Sequence, residues 1–395
     1  MRVGHFLSHF PAPGGTTTMV LGLGAGLVSQ GLEVYVYGCG GLRMTREAGA
    51  RVLERAAESG LKARTDTSRR GGKLPMRTIS DRLVASLTTN QDGLDLMVVH
   101  RGFGTPARKI VEACFLAEVP CVACLHDPFS PLFFANRPLL KRLYWNLSEA
   151  PLLRKMRAIH LLAPSHARYL ASLGVNIPTF VVPNGLDSAL VEVSGSVRGP
   201  WERSASTAAL NVLYLGRLDV YHKGLDILLR AVAGDRSLRS TVSIKMAGRA
   251  TKQEGRVLRR QIAALKLQDR VSFVGFLPHI APAVRTVDLV ILPSRFDGFG
   301  LVVLEALLLG TPVIVSSQAG VSEFLQQVGG VLVADPDERS LAIALRTAVE
   351  SKQELNRAAA SARPHLAHEF SWGVLARRWL EEIERLGVAQ VRGPK

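Results

Sequence analysis

The sequence predicts an α/β protein built from two doubly wound, Rossmann-like domains. Three observations carry this. Short apolar, β-branched runs recur along the 395 residues with helical stretches between them. The runs fall into two series of six. Between the series, the stretch over 191–209 (VEVSGSVRGPWERSASTAA) loses all periodicity and gains Ser, Gly and charge. Strands that alternate with helices form parallel sheets buried on both faces. Two such series, in a chain of about two domains' length, make two domains rather than one.

The first series lies at 3–7, 34–37, 96–99, 122–125, 159–163 and 180–182. Pro13-Gly14-Gly15 follows the opening strand. Gly22, Gly24 and Gly26 sit too far after it, with the third glycine one residue early, for a dinucleotide fingerprint. They read as helix–sheet packing. The turn Pro183-Asn184-Gly185 closes a first domain over 1–190, and 191–209 is a linker. The second series, at 212–215, 242–246, 271–274, 289–292, 313–315 and 331–333, builds a second domain over 210–371. A last helix is expected over about 372–390. No solenoid period is present.

Composition narrows the class. Apolar residues make up 47% and charged residues 21%, as in a folded protein with sizeable cores. The start, MRVGHFLSHFPAPGG, has no apolar core of a secretory signal, and no apolar run reaches membrane-spanning length. A cytoplasmic protein is expected. Of the four cysteines, Cys121 and Cys124 form a lone CxxC within a strand. Residues three apart there point to opposite faces, so core packing is the reading and no metal site is expected.

The net charge of +16 favours anionic partners. Seven basic residues stand against two acidic over 62–82, and six against one over 137–157. The second segment mixes its charge with Leu139, Leu140, Leu143, Tyr144, Trp145 and Leu147. It reads either as a core-packed helix with a solvated basic face or as a helix that lies on an anionic membrane. No nucleic-acid-binding pattern accompanies the charge, so no nucleic-acid partner is expected.

Ligands of open parallel sheets bind outside the carboxyl ends of strands, so chemistry is expected in the loops after them. The richest such loop is PSRFDGFGLVVLEA, 293–306. A strand ends before it and an apolar helix begins near Gly300. Bare amides at a helix N-terminus, approached past glycines, make a phosphate seat. Glu305 stands alone in LVVLEALLLG, and a buried carboxylate needs a partner such as a ribose hydroxyl pair. After the strand over 212–215 comes Gly216-Arg217-Leu218-Asp219, and then Lys223-Gly224. Fixed cations there suit the charge that gathers on a departing diphosphate. His126-Asp127 ends another strand.

These segments resemble the signature of retaining glycosyltransferase family four. Its two acidic residues, with seven residues between them, around G-F-G and ahead of G-x-P-V, are matched by Asp297, Gly298, Phe299, Gly300, Glu305, Gly310, Thr311, Pro312 and Val313. Its G-R-x…K-G pattern is matched by Arg217 and Lys223. The resemblance implies the GT-B fold and a nucleotide-sugar donor bound by the second domain. Glu305 would hold the donor ribose. The amides of Gly298, Phe299, Gly300 and Leu301, with Gly15 of the first loop, would approach the diphosphate and sugar. Arg217 and Lys223 would hold the diphosphate, and His126 and Asp297 would orient the sugar. The family has Glu where this chain has Asp297, one methylene shorter. Base recognition is expected around Phe276. The last helix, after Phe370-Ser371-Trp372, would return to the first domain.

The implied reaction is retaining transfer without a metal or cofactor, to a glycan, lipid-linked or other hydroxyl acceptor. The basic first half directs the expectation towards a phosphorylated or membrane-borne acceptor in envelope or exopolysaccharide assembly, at the inner face of the membrane. The rival readings are a sugar-nucleotide epimerase or synthase of the same fold and a sugar-nucleotide-binding subunit without turnover.

Overall fold

The computed structural model describes residues 1–39, 46–65, 79–101, 107–126, 129–135, 137–187, 190–191 and 209–389. All but the two end residues of the expected linker over 191–209, most of the basic segment 62–82, and Asp127 lie outside the described residues. The chain divides into two units. One joins Met1–Asp187 to Phe370–Lys395, and the other is Ser188–Glu369.

Seven parallel strands form the sheet of the first unit: β1 (Arg2–Phe6), β2 (Glu33–Gly38), β3 (Lys62–Thr65), β4 (Leu96–Arg101), β5 (Cys121–Leu125), β6 (Ala158–Leu161) and β7 (Thr179–Val181). Their order is β3-β2-β1-β4-β5-β6-β7. The central strands β4 and β5 are buried at every position, which is why they read as unbroken apolar runs. The sequence reading found six strands here. The seventh, β3, has the sequence KART and is exposed at alternate positions. A charged edge strand discourages pairing with other chains, and it leaves no apolar run to detect.

Helix Gly15–Ser29 and helix Trp372–Arg385 pack together in this unit. A Cβ on Gly22 would stand 2.1 Å from the Trp372 ring, and one on Gly26 would stand 2.4 Å from the Trp372 carbonyl oxygen. Gly24 instead faces Leu61 and Val34. Two of the three glycines therefore admit a second helix rather than the sheet. The final helix buries Leu375, Ala376, Trp379 and Ile383 along one face, and the Ser371 hydroxyl caps it by accepting from the Val374 amide.

The basic segment 137–157 breaks into helix Pro138–Tyr144, a π-helical turn at Trp145–Glu149 and helix Ala150–Leu153. Trp145 turns inward against Phe129 and Phe134. Its leucines turn outward: Leu139 is 83% exposed, Leu140 67%, Leu143 58% and Leu147 72%. Glu149 meets Arg101 of β4 at 2.5 Å, with both side chains 1% exposed.

Six parallel strands form the second sheet: β8 (Leu210–Leu215), β9 (Val242–Ala247), β10 (Val271–Gly275), β11 (Leu289–Leu292), β12 (Val313–Ser316) and β13 (Val331–Ala334). Their order is β10-β9-β8-β11-β12-β13. The winding reverses between β8 and β11, the place where open α/β sheets bind ligands. Val212, Tyr214, Ile244, Leu228 and Ile291 belong to the core beneath. Among the described residues, no helix is long and apolar enough to cross a membrane.

Candidate active site

The loops beyond β8 and β11 in the second unit are built for close backbone approach. The Gly216 amide donates to the Ala247 carbonyl at 3.0 Å, and the Leu218 amide donates to that of Arg249 at 2.9 Å. Gly248, at φ +150°, passes so near that a Cβ would lie 1.7 Å from the Gly216 oxygen. The Tyr214 hydroxyl donates to the Arg217 carbonyl at 2.6 Å and fixes the loop from below. The Arg217 side chain is left exposed, with its guanidinium 3.5 Å from Nδ1 of His222.

Lys223 and Asp297 are brought into contact. The ammonium donates to the Asp297 carboxylate at 2.5 Å, and the Ser294 hydroxyl donates to the same oxygen at 3.3 Å. Burial raises the Asp297 carboxyl pKa, but the Lys223 ammonium outweighs it and holds the group below its ordinary value. The shorter carboxylate is thus engaged by the loop itself. Three interactions join the loops that carry the pair. The Arg295 amide donates to the His222 carbonyl at 3.0 Å. The Arg295 guanidinium grips Asp226 through two bonds of 2.7 Å. The His222 and Phe296 rings stack at 4.3 Å. Burial, then the Lys223 charge, push His222 down to about 4, so it is neutral near pH 7. His222 and Arg295 went unnoticed in the sequence reading, because ordinary loop residues carry no spacing signal.

Gly298 and Phe299 are buried behind this pair. Gly300, at φ +101°, opens helix Leu301–Leu308. Among the described residues no side chain caps that helix, and no acidic residue lies in its first turn. Its first amides are therefore available to an anion. The isolated, sealed carboxylate expected at Glu305 is not found: the residue is only half-buried, on a helix whose face at Leu301 and Val302 is equally open. Phe276, just past β10, is 58% exposed, and the Arg249 guanidinium lies over its ring at 4.3 Å. This flat pair can stack an aromatic base.

In the first unit, Gly15 begins its helix after Gly14, and among the described residues a Cβ on either glycine would meet nothing within 4 Å. The backbone is open to a ligand there. His126 follows β5, and its amide donates to the Arg101 carbonyl at 2.9 Å. Its ring is only partly exposed and belongs to an array that the sequence reading missed. His5 Nδ1 lies 2.9 Å from His100 Nε2, and His100 Nδ1 lies 3.1 Å from His126 Nε2. Each histidine lies in or just past an apolar strand run, and strand register alone brings them together. A polar ring recurring there in successive runs was the available signal. Cys124 joins them, so that His100, Cys124 and His126 offer ligand atoms within 4.8 Å of one another. The facing ring nitrogens already bond to each other, and burial pushes the Cys124 thiol far above its ordinary range. The group is a hydrogen-bonded array in its present form.

Comparison with known proteins gives a consistent result. Residues 209–351 match the family profile of glycosyl transferases group 1, and residues 13–190 match that of glycosyltransferase family 4. The glycogen synthase of Mycobacterium tuberculosis is 31% identical over 200 residues, which cover 50% of this chain and 46% of that protein. The lipopolysaccharide core biosynthesis mannosyltransferase LpsB of Rhizobium meliloti is 26% identical over 233 residues, 56% of this chain and 63% of that one. The chain spans about half the length of the curated relatives it matches. Among solved structures, Anabaena HepE in complex with UDP and glucose is similar with a TM-score of 0.72 at 21% identity, over 98% of this chain and 100% of that one.

Proposed function

The chain belongs to the group 1 glycosyltransferases of family four, with their GT-B fold, and from that premise we propose that it transfers a sugar from a nucleoside-diphosphate donor to a hydroxyl acceptor. The observation that carries this reading is the Lys223–Asp297 pair, set between exposed Arg217 and the uncapped helix at Leu301. Fixed cations and bare amides in one loop cluster suit a diphosphate. The ammonium has three donors, so its bond to Asp297 leaves two for phosphate oxygens. A UDP-sugar donor is supported by Anabaena HepE, which was crystallised with UDP-glucose.

In the proposed reaction, Arg217 and Lys223 stabilise the departing diphosphate, Glu305 holds the ribose, and His126 and Asp297 orient the sugar. The acceptor hydroxyl attacks from the face the diphosphate leaves, and a leaving phosphate oxygen takes its proton. Configuration is retained. The two cations supply the charge that the leaving group needs, so the proposal calls for no metal, and turnover in a chelator tests that point.

The acceptor in this reading is membrane-borne and phosphorylated, as in envelope polysaccharide assembly. The exposed leucines at 139, 140, 143 and 147, beside exposed Arg137 and Arg142, support it. An apolar face flanked by cations binds anionic lipid surfaces.

The deciding experiment is a thermal-shift panel of nucleoside diphosphates and their sugars on the wild type, Arg217→Ala and Glu305→Ala. Ligand that binds the native state raises its melting temperature. One nucleotide should stabilise the wild type and neither variant. No response from the wild type to any nucleotide would overturn the donor site. Release of an epimerised sugar without an acceptor would instead assign an epimerase.

A further inference from the structure

We propose that His5, His100 and His126 form a chain of neutral imidazoles whose tautomers are locked together, so that the character of the outer nitrogen of His126 is set from inside the first sheet. The consequence for sugar transfer rests on the role given to His126 above; the lock itself does not.

Strand register creates the chain. His5 pairs with Val98, two residues before His100 on the same face of β4. His100 pairs with Cys124, two residues before His126, and Cys124 pairs with His160. All four rings thus share one face of the sheet. His5 and His100 stack at 5.2 Å with planes 25° apart, and His100 and His126 at 5.4 Å and 26°. His5 is 0% exposed and His100 1%. The titratable groups facing them are two further imidazoles, His160 and His9, and the Cys124 thiol, which burial keeps protonated. Nε2 of His160 lies 2.8 Å from the Val182 carbonyl, so it carries the proton and donates. Burial pushes His5 and His126 down to about 3 and lowers His100 too, so the rings are neutral near pH 7.

A neutral imidazole has one N–H and one lone pair. Two arrangements alone keep both bonds of the chain. In one, every proton sits on Nδ1: His5 donates to His100, His100 donates to His126, and His126 presents Nδ1–H. In the other, every proton sits on Nε2: His126 donates to His100, His100 donates to His5, and His126 presents a bare Nδ1. Any mixture sets two lone pairs or two N–H groups against each other at about hydrogen-bond distance inside the core.

Conversion between the two arrangements must also move a proton on or off Nε2 of His5. That atom is buried and has no hydrogen-bond partner among the described residues. The two arrangements therefore differ by an unpaired N–H against an unpaired lone pair at that atom, and this difference selects one of them. His126 therefore offers a ligand hydroxyl one fixed role, donor or acceptor. His100 and His5 are positioning residues for it.

The test is long-range proton–nitrogen NMR of the full chain labelled in histidine, near neutral pH. His5, His100 and His126 should all show the same tautomer. His100→Phe keeps the ring packing and removes both bonds. It should leave His126 a mixture of tautomers and lower kcat about tenfold with the donor KM unchanged. His5→Phe keeps the bond between His100 and His126 and passes the unpaired nitrogen to His100, so these two rings should still share one tautomer, and it decides the question if His100→Phe fails to fold. Opposite tautomers within the wild-type trio or within the His5→Phe pair, or an unaltered His126 tautomer in a folded His100→Phe variant, would overturn the proposal. A chain that transfers no sugar at all would sink the reading of its function, while the NMR result would still decide the lock.

Discussion

Lys223 and Asp297 stand 74 positions apart in the sequence and meet at 2.5 Å, with their side chains 13% and 15% exposed. Lys223→Met leaves the carboxylate without its cation in a mostly buried place. The expected loss is about 2 kcal/mol of stability. The folded pKa of Asp297 is depressed, so its contribution is present above the unfolded value of 3.8 and fades as pH falls through the lower folded value. Chemical denaturation of both proteins at pH 7 and at pH 3 checks this. The gap between them should be wide at pH 7 and narrower at pH 3.

Restoring the family residue gives a second prediction. Asp297→Glu adds one methylene where the carboxylate is already held by Lys223 and Ser294. The longer side chain should alter the preference among sugars of one nucleotide by about tenfold and leave affinity for the nucleoside diphosphate unchanged. Competition assays with paired donors measure both.

Gly248→Ala should be severe. Its Cβ would overlap the Gly216 oxygen, and both partners of that contact are backbone. A loss of about 3 kcal/mol is expected, together with loss of the nucleotide response in the thermal-shift panel, because Arg217 follows Gly216 directly.

Acid should weaken the first unit. His5 and His126 titrate at about 3 in the fold and His160 at about 4, against 6.5 for an ordinary histidine. Above pH 6.5 neither state is charged and these groups contribute nothing. Below it the unfolded chain binds protons that the fold excludes, so stability falls. At pH 5.5 each histidine costs about 1.4 kcal/mol. Calorimetry between pH 7 and pH 4.5 should find a melting transition that drops steeply, and a His5→Phe/His160→Phe variant should flatten the drop.

Vesicle sedimentation tests the outward leucines. Replacing Leu139, Leu140, Leu143 and Leu147 with Asn should cut binding to anionic vesicles at least tenfold and leave the melting temperature within a few degrees, since these side chains are mostly exposed.

Much of the fold was legible because the central strands are buried on both faces and read as unbroken apolar runs. β3 was not, because KART at a sheet edge has no reason to be apolar. Asp297, Lys223 and Arg217 stood out through motif spacing, which sequence preserves. What spacing does not carry is the joining of two loops by Arg295 and His222, or the histidine array. Those depend on which strands lie side by side, and the pairing of β1 with β4 joins residues 93 positions apart, Val3 with Leu96. Glu305 was misjudged because an apolar neighbourhood in sequence was taken for a sealed one in space, whereas its helix turns that residue towards an open face.

The helix Trp372–Arg385 belongs to the unit that begins at Met1, although residues 188–369 form the other unit. Synthesis runs from the first residue to the last. The second unit therefore has its whole sequence outside the ribosome before the first has received the segment that fills the groove at Gly22 and Gly26. Until then the earlier-made half must wait with that groove uncovered. A nascent chain released short of residue 370 should consequently present one finished half and one that is sensitive to proteases and attractive to chaperones.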